Sequence, residues 1–144
     1  MSIDGVYDPN NIFAKILRGE LPCEKVYEDE RTFAFMDIMP RADGHTLVIP
    51  KNPARTLLEV APEDLAAVFT TVQMIAGAAK RAMNADGLTI QQFNEPAGGQ
   101  VVFHMHVHVL PRWNGVGLRP HTGEMAPKET LQEHAAKIRA ALAG

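Results

Sequence analysis

A chain of 144 residues with 46% hydrophobic and 22% charged side chains has the length and composition of one ordinary globular domain over residues 1–144, which excludes intrinsic disorder and fibrous repeats. Its 14 Lys and Arg against 17 Asp and Glu give a formal net charge of -3 with no basic run, so nucleic acid is not an expected partner. Cys23 is the single cysteine, no apolar stretch approaches the roughly 20 residues of a membrane span, and residues 1–10 lack the charged, apolar and small-residue order of a signal peptide; the expected setting is cytoplasmic, away from membranes.

Asn11 to Arg18 places Ile12, Phe13, Ile16 and Leu17 at helical spacing behind an asparagine that can cap, with Gly19 as the stop. Glu24 to Glu28 and Thr32 to Asp37 read as strands joined through polar Asp29, Glu30 and Arg31, a hairpin. A third strand, His45 to Ile49, follows Asp43-Gly44 and is closed by Pro50, which cannot donate to a ladder. The longest helix runs from Pro62 to about Met83: Glu63 and Asp64 suit the positive end of its dipole, and Leu65, Val68, Phe69, Val72, Ile75 and Ala79 line one face. Leu88 to Asn94 and Val101 to Leu110 read as strands around a Gly- and Pro-containing loop, Glu95 to Gln100. A last helix, Pro127 to Leu142, packs Leu131, Ala135, Ile138 and Leu142. Five strands on hairpin-length links, with a short first helix, one long central helix and a C-terminal helix, predict an α+β fold with a mostly antiparallel sheet.

Three of the 6 histidines stand at alternate positions, His104, His106 and His108. On a strand they share one face while Phe103, Met105, Val107 and Val109 fill the other, and a spacing of roughly 7 Å lets the three rings surround one small group. Three imidazoles in register give up strand propensity for no packing gain, which marks a site. His121 and His134, standing singly, are read as surface or half-buried residues. Two chemistries are open for the trio. As ligands the rings would hold a zinc ion, although no Asp, Glu or second Cys stands with them. As a nucleophile and its attendants, the middle imidazole would attack phosphorus while its neighbours hold the phosphate oxygens and the leaving group. Ala97-Gly98-Gly99-Gln100 leads directly into the histidines and favours the second reading, because glycines let backbone N–H groups close on an anion.

His104-Met105-His106-Val107-His108-Val109-Leu110 resembles the His-φ-His-φ-His-φ-φ signature of the histidine triad (HIT) family of nucleotide hydrolases and transferases, φ being apolar. Ile12-Phe13-Ala14-Lys15-Ile16, Phe35-Met36-Asp37-Ile38-Met39-Pro40, Gly44-His45-Thr46-Leu47-Val48-Ile49-Pro50-Lys51 and Ala97-Gly98-Gly99-Gln100 are similar, in order and spacing, to its Hint branch. The resemblance covers residues 10 to about 113 and implies a HIT-like fold with 114–144 as a variable extension. It implies His106 as the nucleophile of a nucleotidyl-imidazole intermediate, His104 and His45 as its supports, His108 as the proton donor at the leaving group, and Asp37 as the acceptor of the ribose hydroxyls. Ile12, Phe13, Ile16, Phe35 and Ile38 would form the purine slot, and Asn94 with the Gly98, Gly99 and Gln100 backbone the phosphate-side contacts. Without the resemblance, those five apolar residues read as core and Asp37 as a solvated strand-end charge.

The implied activity is hydrolysis at the α-phosphorus of nucleoside 5′-phosphoramidates or acyl nucleotides, on an AMP- or GMP-like purine nucleotide, by a homodimer without a cofactor. Alternatives are a dinucleoside polyphosphate hydrolase of the same family, in keeping with Pro111-Arg112 after the motif, a zinc-dependent hydrolase using the three histidines, and a nucleotide-binding adaptor without turnover. Three departures from the family pattern stand out. Val101 stands where many Hint-like members carry a Ser or Thr that helps hold the α-phosphate, and Met36 replaces a polar or His residue that some relatives carry beside the base. Neither a Cys-x-x-Cys at the first helix nor a histidine after Lys51 is present, so no structural metal is expected. Trp113 and Arg119 are expected on the leaving-group side.

Overall fold

The computed structural model of the chain describes residues 5–120 and 124–144; His121 lies outside them. Asn11 caps the first helix, α1 (Ile12–Leu17), by accepting the Ala14 N–H at 2.9 Å, and Gly19 ends it at φ 78°, a left-handed conformation open to glycine. Strands β1 (Lys25–Glu28) and β2 (Thr32–Met36) form the hairpin, its turn tied by Asp29 Oδ1, which accepts the N–H groups of Arg31 and Thr32 at 2.9 and 2.8 Å. The order continues through β3 (Thr46–Pro50), α2 (Pro62–Ala82), β4 (Gly87–Gln92), β5 (Val107–Arg112) and α3 (Lys128–Ala143). In space the strands run β1-β2-β3-β5-β4 with every neighbouring pair antiparallel, which is the expected α+β architecture.

Strand alternation divides the sheet into two faces. Ala34, Met36, Val48, Val107 and Val109 point to one, where Val68, Val72, Ile75 and Ala79 of α2 and Leu131, Ala135 and Ile138 of α3 cover them. Phe33, Phe35, Leu47 and Ile49 point to the other and meet Phe13 of α1 in a smaller cluster. Among the described residues no helix is long and apolar enough to cross a membrane.

Two expectations need correction. Phe69 was expected on the core face of α2 but is 42% exposed; it stands about 100° around the helix from Val68, beside exposed Ala66, Thr70 and Gln73. The core stripe instead includes polar residues held by partners: Asp64 accepts from Arg31 Nη1 at 2.9 Å and Asn52 Nδ2 at 2.7 Å, and the Thr71 and Thr32 hydroxyls meet at 2.8 Å. The predicted strand from Val101 begins only at Val107. Continuing the β3–β5 register would set Met105 opposite Pro50, which has no N–H to give, and the Met105 N–H donates instead to Ala54 O at 2.8 Å. Smaller shifts end β4 at Gln92 and leave His45 just before β3.

Candidate functional site

His104 and His106 therefore lie on an irregular approach to β5, not in strand register. His104 Nε2 faces Pro50 O at 2.8 Å; a carbonyl only accepts, so this nitrogen carries the proton. Its Nδ1 accepts the Tyr7 hydroxyl at 2.7 Å. With both ring nitrogens engaged and burial holding its pKa down at about 4, His104 is a neutral structural imidazole. What it offers His106 is its backbone: His106 Nδ1–H donates to His104 O at 2.7 Å, which fixes the tautomer and leaves the lone pair on Nε2. Burial also holds the His106 pKa below its ordinary value, so the lone pair is present at neutral pH.

A second chain of hydrogen bonds sets His108. The Arg41 N–H donates to His45 Nδ1 at 3.0 Å, so the His45 proton sits on Nε2 and is given to His108 Nδ1 at 2.9 Å. His108 must then carry its own proton on Nε2. The His106 and His108 rings lie 5.0 Å apart, with Phe13 edge-on to His106 at 4.9 Å and Phe93 against His108 at 5.4 Å. One imidazole presents a lone pair and its neighbour an N–H. This pair is suited to attack an electrophile while hydrogen-bonding the departing atom. The expectation that three rings surround one group is corrected to two, with His104 and His45 behind them.

Asp37 is not the solvated charge that its strand-end position suggests. Its Oδ1 accepts the Met39 N–H at 2.8 Å, its Oδ2 lies 3.5 Å from His45 Nε2, and burial pushes its pKa up to about 6. Of the five apolar residues, Phe13 and Phe35 are buried edge-to-face at 5.2 Å and Ile16 is half-buried, whereas Ile12 and Ile38 are 47% and 44% exposed. They form a core with an open apolar rim.

The loop before the histidines is held from beneath. Gln100 is buried: its Oε1 accepts the Glu95 N–H at 2.7 Å and its Nε2 donates to Arg55 O at 2.7 Å and Val102 O at 3.0 Å. Arg55 grips the Glu95 carboxylate with two bonds of 2.9 Å and stacks over Phe103 at 4.3 Å. Asn94 Oδ1 accepts from Leu57 N–H and Gln92 Nε2 at 2.8 and 3.0 Å, and its Nδ2 donates to Gln92 Oε1 at 2.7 Å. The side chains of Asn94 and Gln100 thus brace the loop, while Gly98, Gly99 and Val101 are exposed on its surface.

Among the described residues, the side chains grouped closely enough for one cation are Asp37, His45 and His108, whose ligand atoms lie within 4.8 Å, and not the three motif histidines. The hydrogen bonds oppose occupancy. A cation between His45 Nε2 and His108 Nδ1 would displace the shared proton and force the His45 proton onto Nδ1, against the Arg41 N–H. Sequence reasoning missed Tyr7, the Arg41 N–H, the Pro50 carbonyl and the Arg55–Glu95 pair. Backbone atoms leave no signal in a side-chain pattern; Tyr7, a lone aromatic in a polar stretch, was the one available cue.

The HIT domain matches residues 18–115. The chain is 39% identical over 117 residues to the adenylylsulfatase HINT3 of Arabidopsis thaliana, a match that takes in 77% of this chain and 59% of that longer relative. A crystal structure of a Hit-like protein involved in cell-cycle regulation from Bartonella henselae superimposes with a TM-score of 0.91 at 53% identity, covering 95% of this chain and 99% of that one. A histidine triad nucleotide-binding protein from Sulfolobus tokodaii gives a TM-score of 0.84 at 34% identity, covering 91% of each chain. Motif, sheet order and overall likeness agree, and the chain belongs to the histidine triad family of nucleotide-binding proteins.

Proposed function

We propose that the chain hydrolyses purine nucleoside 5′-phosphate derivatives at the α-phosphorus, phosphoramidates and acyl nucleotides first, in two steps through His106. The observation that carries this reading is the opposed proton placement on the two facing imidazoles. His106 Nε2 uses its lone pair to form a phosphorus–nitrogen bond as the bond from phosphorus to the leaving atom breaks. His108 Nε2–H supplies the hydrogen bond, and for an amine the proton, that lets the leaving atom depart. Water then attacks phosphorus, returns a proton to His108 and restores His106. Asp37, short of donors, suits the ribose hydroxyls, and Ile12, Phe13, Ile16, Phe35 and Ile38 suit the purine. Gly98 and Gly99 are exposed and let a phosphate come close to the loop, but the N–H groups of Gly98, Gly99 and Gln100 are donated within it, to Glu95 O, Pro96 O and Glu95 O at 2.9, 3.0 and 3.0 Å, so the expected backbone cradle is corrected to a close-approach surface. An adenylylsulfatase among the relatives is in keeping with an anionic leaving group at the same kind of bond.

Dinucleoside polyphosphate hydrolysis is the second reading, favoured by Arg112, which alternation sets on the face of β5 that carries His108. A hydrolysis panel of adenosine and guanosine phosphoramidates, acyl adenylates and dinucleoside tri- and tetraphosphates separates the two. Turnover of the first two classes supports the main reading. Turnover of the polyphosphates alone transfers it to the second, and AMP binding without any turnover would make the chain an adaptor. A symmetric homodimer is also proposed, since β4 is an outer strand and exposed Ile90 and Phe69 offer apolar surface. Sedimentation should give twice the chain mass, and a monomer at micromolar concentration would contradict it.

A further inference from the structure

We infer that a cavity between residues 41–43 and the end of β5 is an oxyanion site. It has a volume of 240 Å³, and its walls include Arg41, Asp43, Arg112, Trp113 and Arg119. Three arginines bordering one cavity is unexpected in a chain of net charge -3. Their partners leave the positive charge largely uncompensated. Arg119 pairs with Asp43, the one carboxylate in the wall. Arg41 Nε donates to Arg119 O at 2.8 Å, and Arg112 donates from Nη1 to Thr89 Oγ1 at 3.0 Å and from Nη2 to Val116 O at 3.5 Å, all neutral oxygens. Among the described residues neither Arg41 nor Arg112 has a carboxylate within ion-pair distance. A guanidinium has five N–H donors, so both retain forks able to take two oxygens of one anion. Asp86 lines an adjoining groove that Arg112 and Trp113 also border; it makes no ion pair with Arg112 and accepts the Asn114 N–H at 2.8 Å. The Trp113 indole donates to Asn84 O at 3.0 Å, which fixes the ring as a wall.

The cavity shares two elements with the histidines, though no histidine lines it. Arg112 lies four residues beyond His108 on the same face of β5, roughly 13 Å along the strand, and Arg41 supplies the N–H that sets the His45 tautomer. The ligand chemistry is a phosphate, sulfate or carboxylate group, which can be either the charged end of a substrate's leaving group or a free anion. The leaving-group source rests on the nucleotidyl-transfer reading above, whereas anion binding as such does not.

Titration of inorganic sulfate into the whole chain, followed by calorimetry and amide NMR, tests the site. Saturable binding is expected, weakened about tenfold or more by Arg112→Gln and by Arg41→Gln, with AMP affinity and melting temperature kept as the check on folding. Absence of saturable binding, or equal binding by wild type and both variants, overturns the proposal. For the source, kcat/KM of Arg112→Gln is compared on adenylates whose leaving groups differ only in a distal carboxylate. A loss confined to the charged member assigns the site to the leaving group; equal rates beside weakened sulfate binding assign it to a free anion. If no adenylate turns over, the catalytic reading fails and the sulfate titration still decides the site.

Discussion

At Asp37 a carboxylate sits where water is scarce, with one backbone N–H donor at 2.8 Å and, 3.5 Å away, a His45 Nε2 whose proton goes to His108. Its folded pKa of about 6 lies above the model-peptide value of 3.8, so ionisation in the folded state costs about 3 kcal/mol, in full above pH 6 and not at all below 3.8. Asp37→Asn keeps an acceptor for the Met39 N–H and removes the charge. It should raise stability by about 2 to 3 kcal/mol at pH 7.5, with the gain gone at pH 4; thermal melts showing no gain at pH 7.5 would refute this cost. If the carboxylate receives ribose hydroxyls, the same change should weaken AMP more than its 2′,3′-dideoxy analogue. The family resemblance marked Asp37, His45 and the three motif histidines as candidates, but side-chain spacing could not show the wiring. His104 acts on His106 through a carbonyl, and His45 contacts His108 through a tautomer set by Arg41 N–H.

Among the elements, the helices and hairpins were legible because their signals are local: the Asn11 cap, Pro62 at the start of α2, Asp29 at the first turn. The start of β5 was not. Residues 101–106 alternate like a strand, and what stops the ladder is Pro50, a residue of another strand that no local pattern includes. Phe69 was misplaced for a related reason, since an apolar residue at the margin of a helical stripe can face core or water. The loop from Glu95 to Gln100 depends on one buried side chain. Gln100→Ala strands the Glu95 N–H and the carbonyls of Arg55 and Val102. It should destabilise the chain by about 2 kcal/mol and speed hydrogen exchange at the amides of 95–99. An unchanged melting temperature with unchanged exchange would show that the loop holds itself.

Over the whole molecule, these groups give stability a predictable pH dependence. His104, at about 4 when folded against 6.5 in a model peptide, refuses a proton that the unfolded chain binds, so its contribution is complete above pH 6.5 and lost as pH falls towards 4, and His106, also lowered by burial, acts in the same direction. Asp37 opposes them by taking up a proton in the folded state over nearly the same window. The wild type should therefore lose stability gently between pH 6.5 and 4, and Asp37→Asn more steeply; a shallower decline in the variant would contradict this balance. The α+β sheet and the family were readable from the chain, whereas the cavity of arginines required the tail to be seen folded over residues 37–43, with Arg119 N–H on Arg41 O at 2.8 Å and Ala126 N–H on Ile38 O at 2.9 Å. The central claim, that His106 Nε2 bonds to phosphorus, has one direct measurement. Turnover is stopped within the first cycle by alkaline denaturation, in which a phosphorus–nitrogen bond survives, and the peptides are sequenced by mass spectrometry. The account predicts a nucleotidyl group on His106 and none in His106→Ala, which still binds AMP; a nucleotidyl group on His104 or His108 while His106 is intact, or near wild-type turnover by His106→Ala, would contradict it.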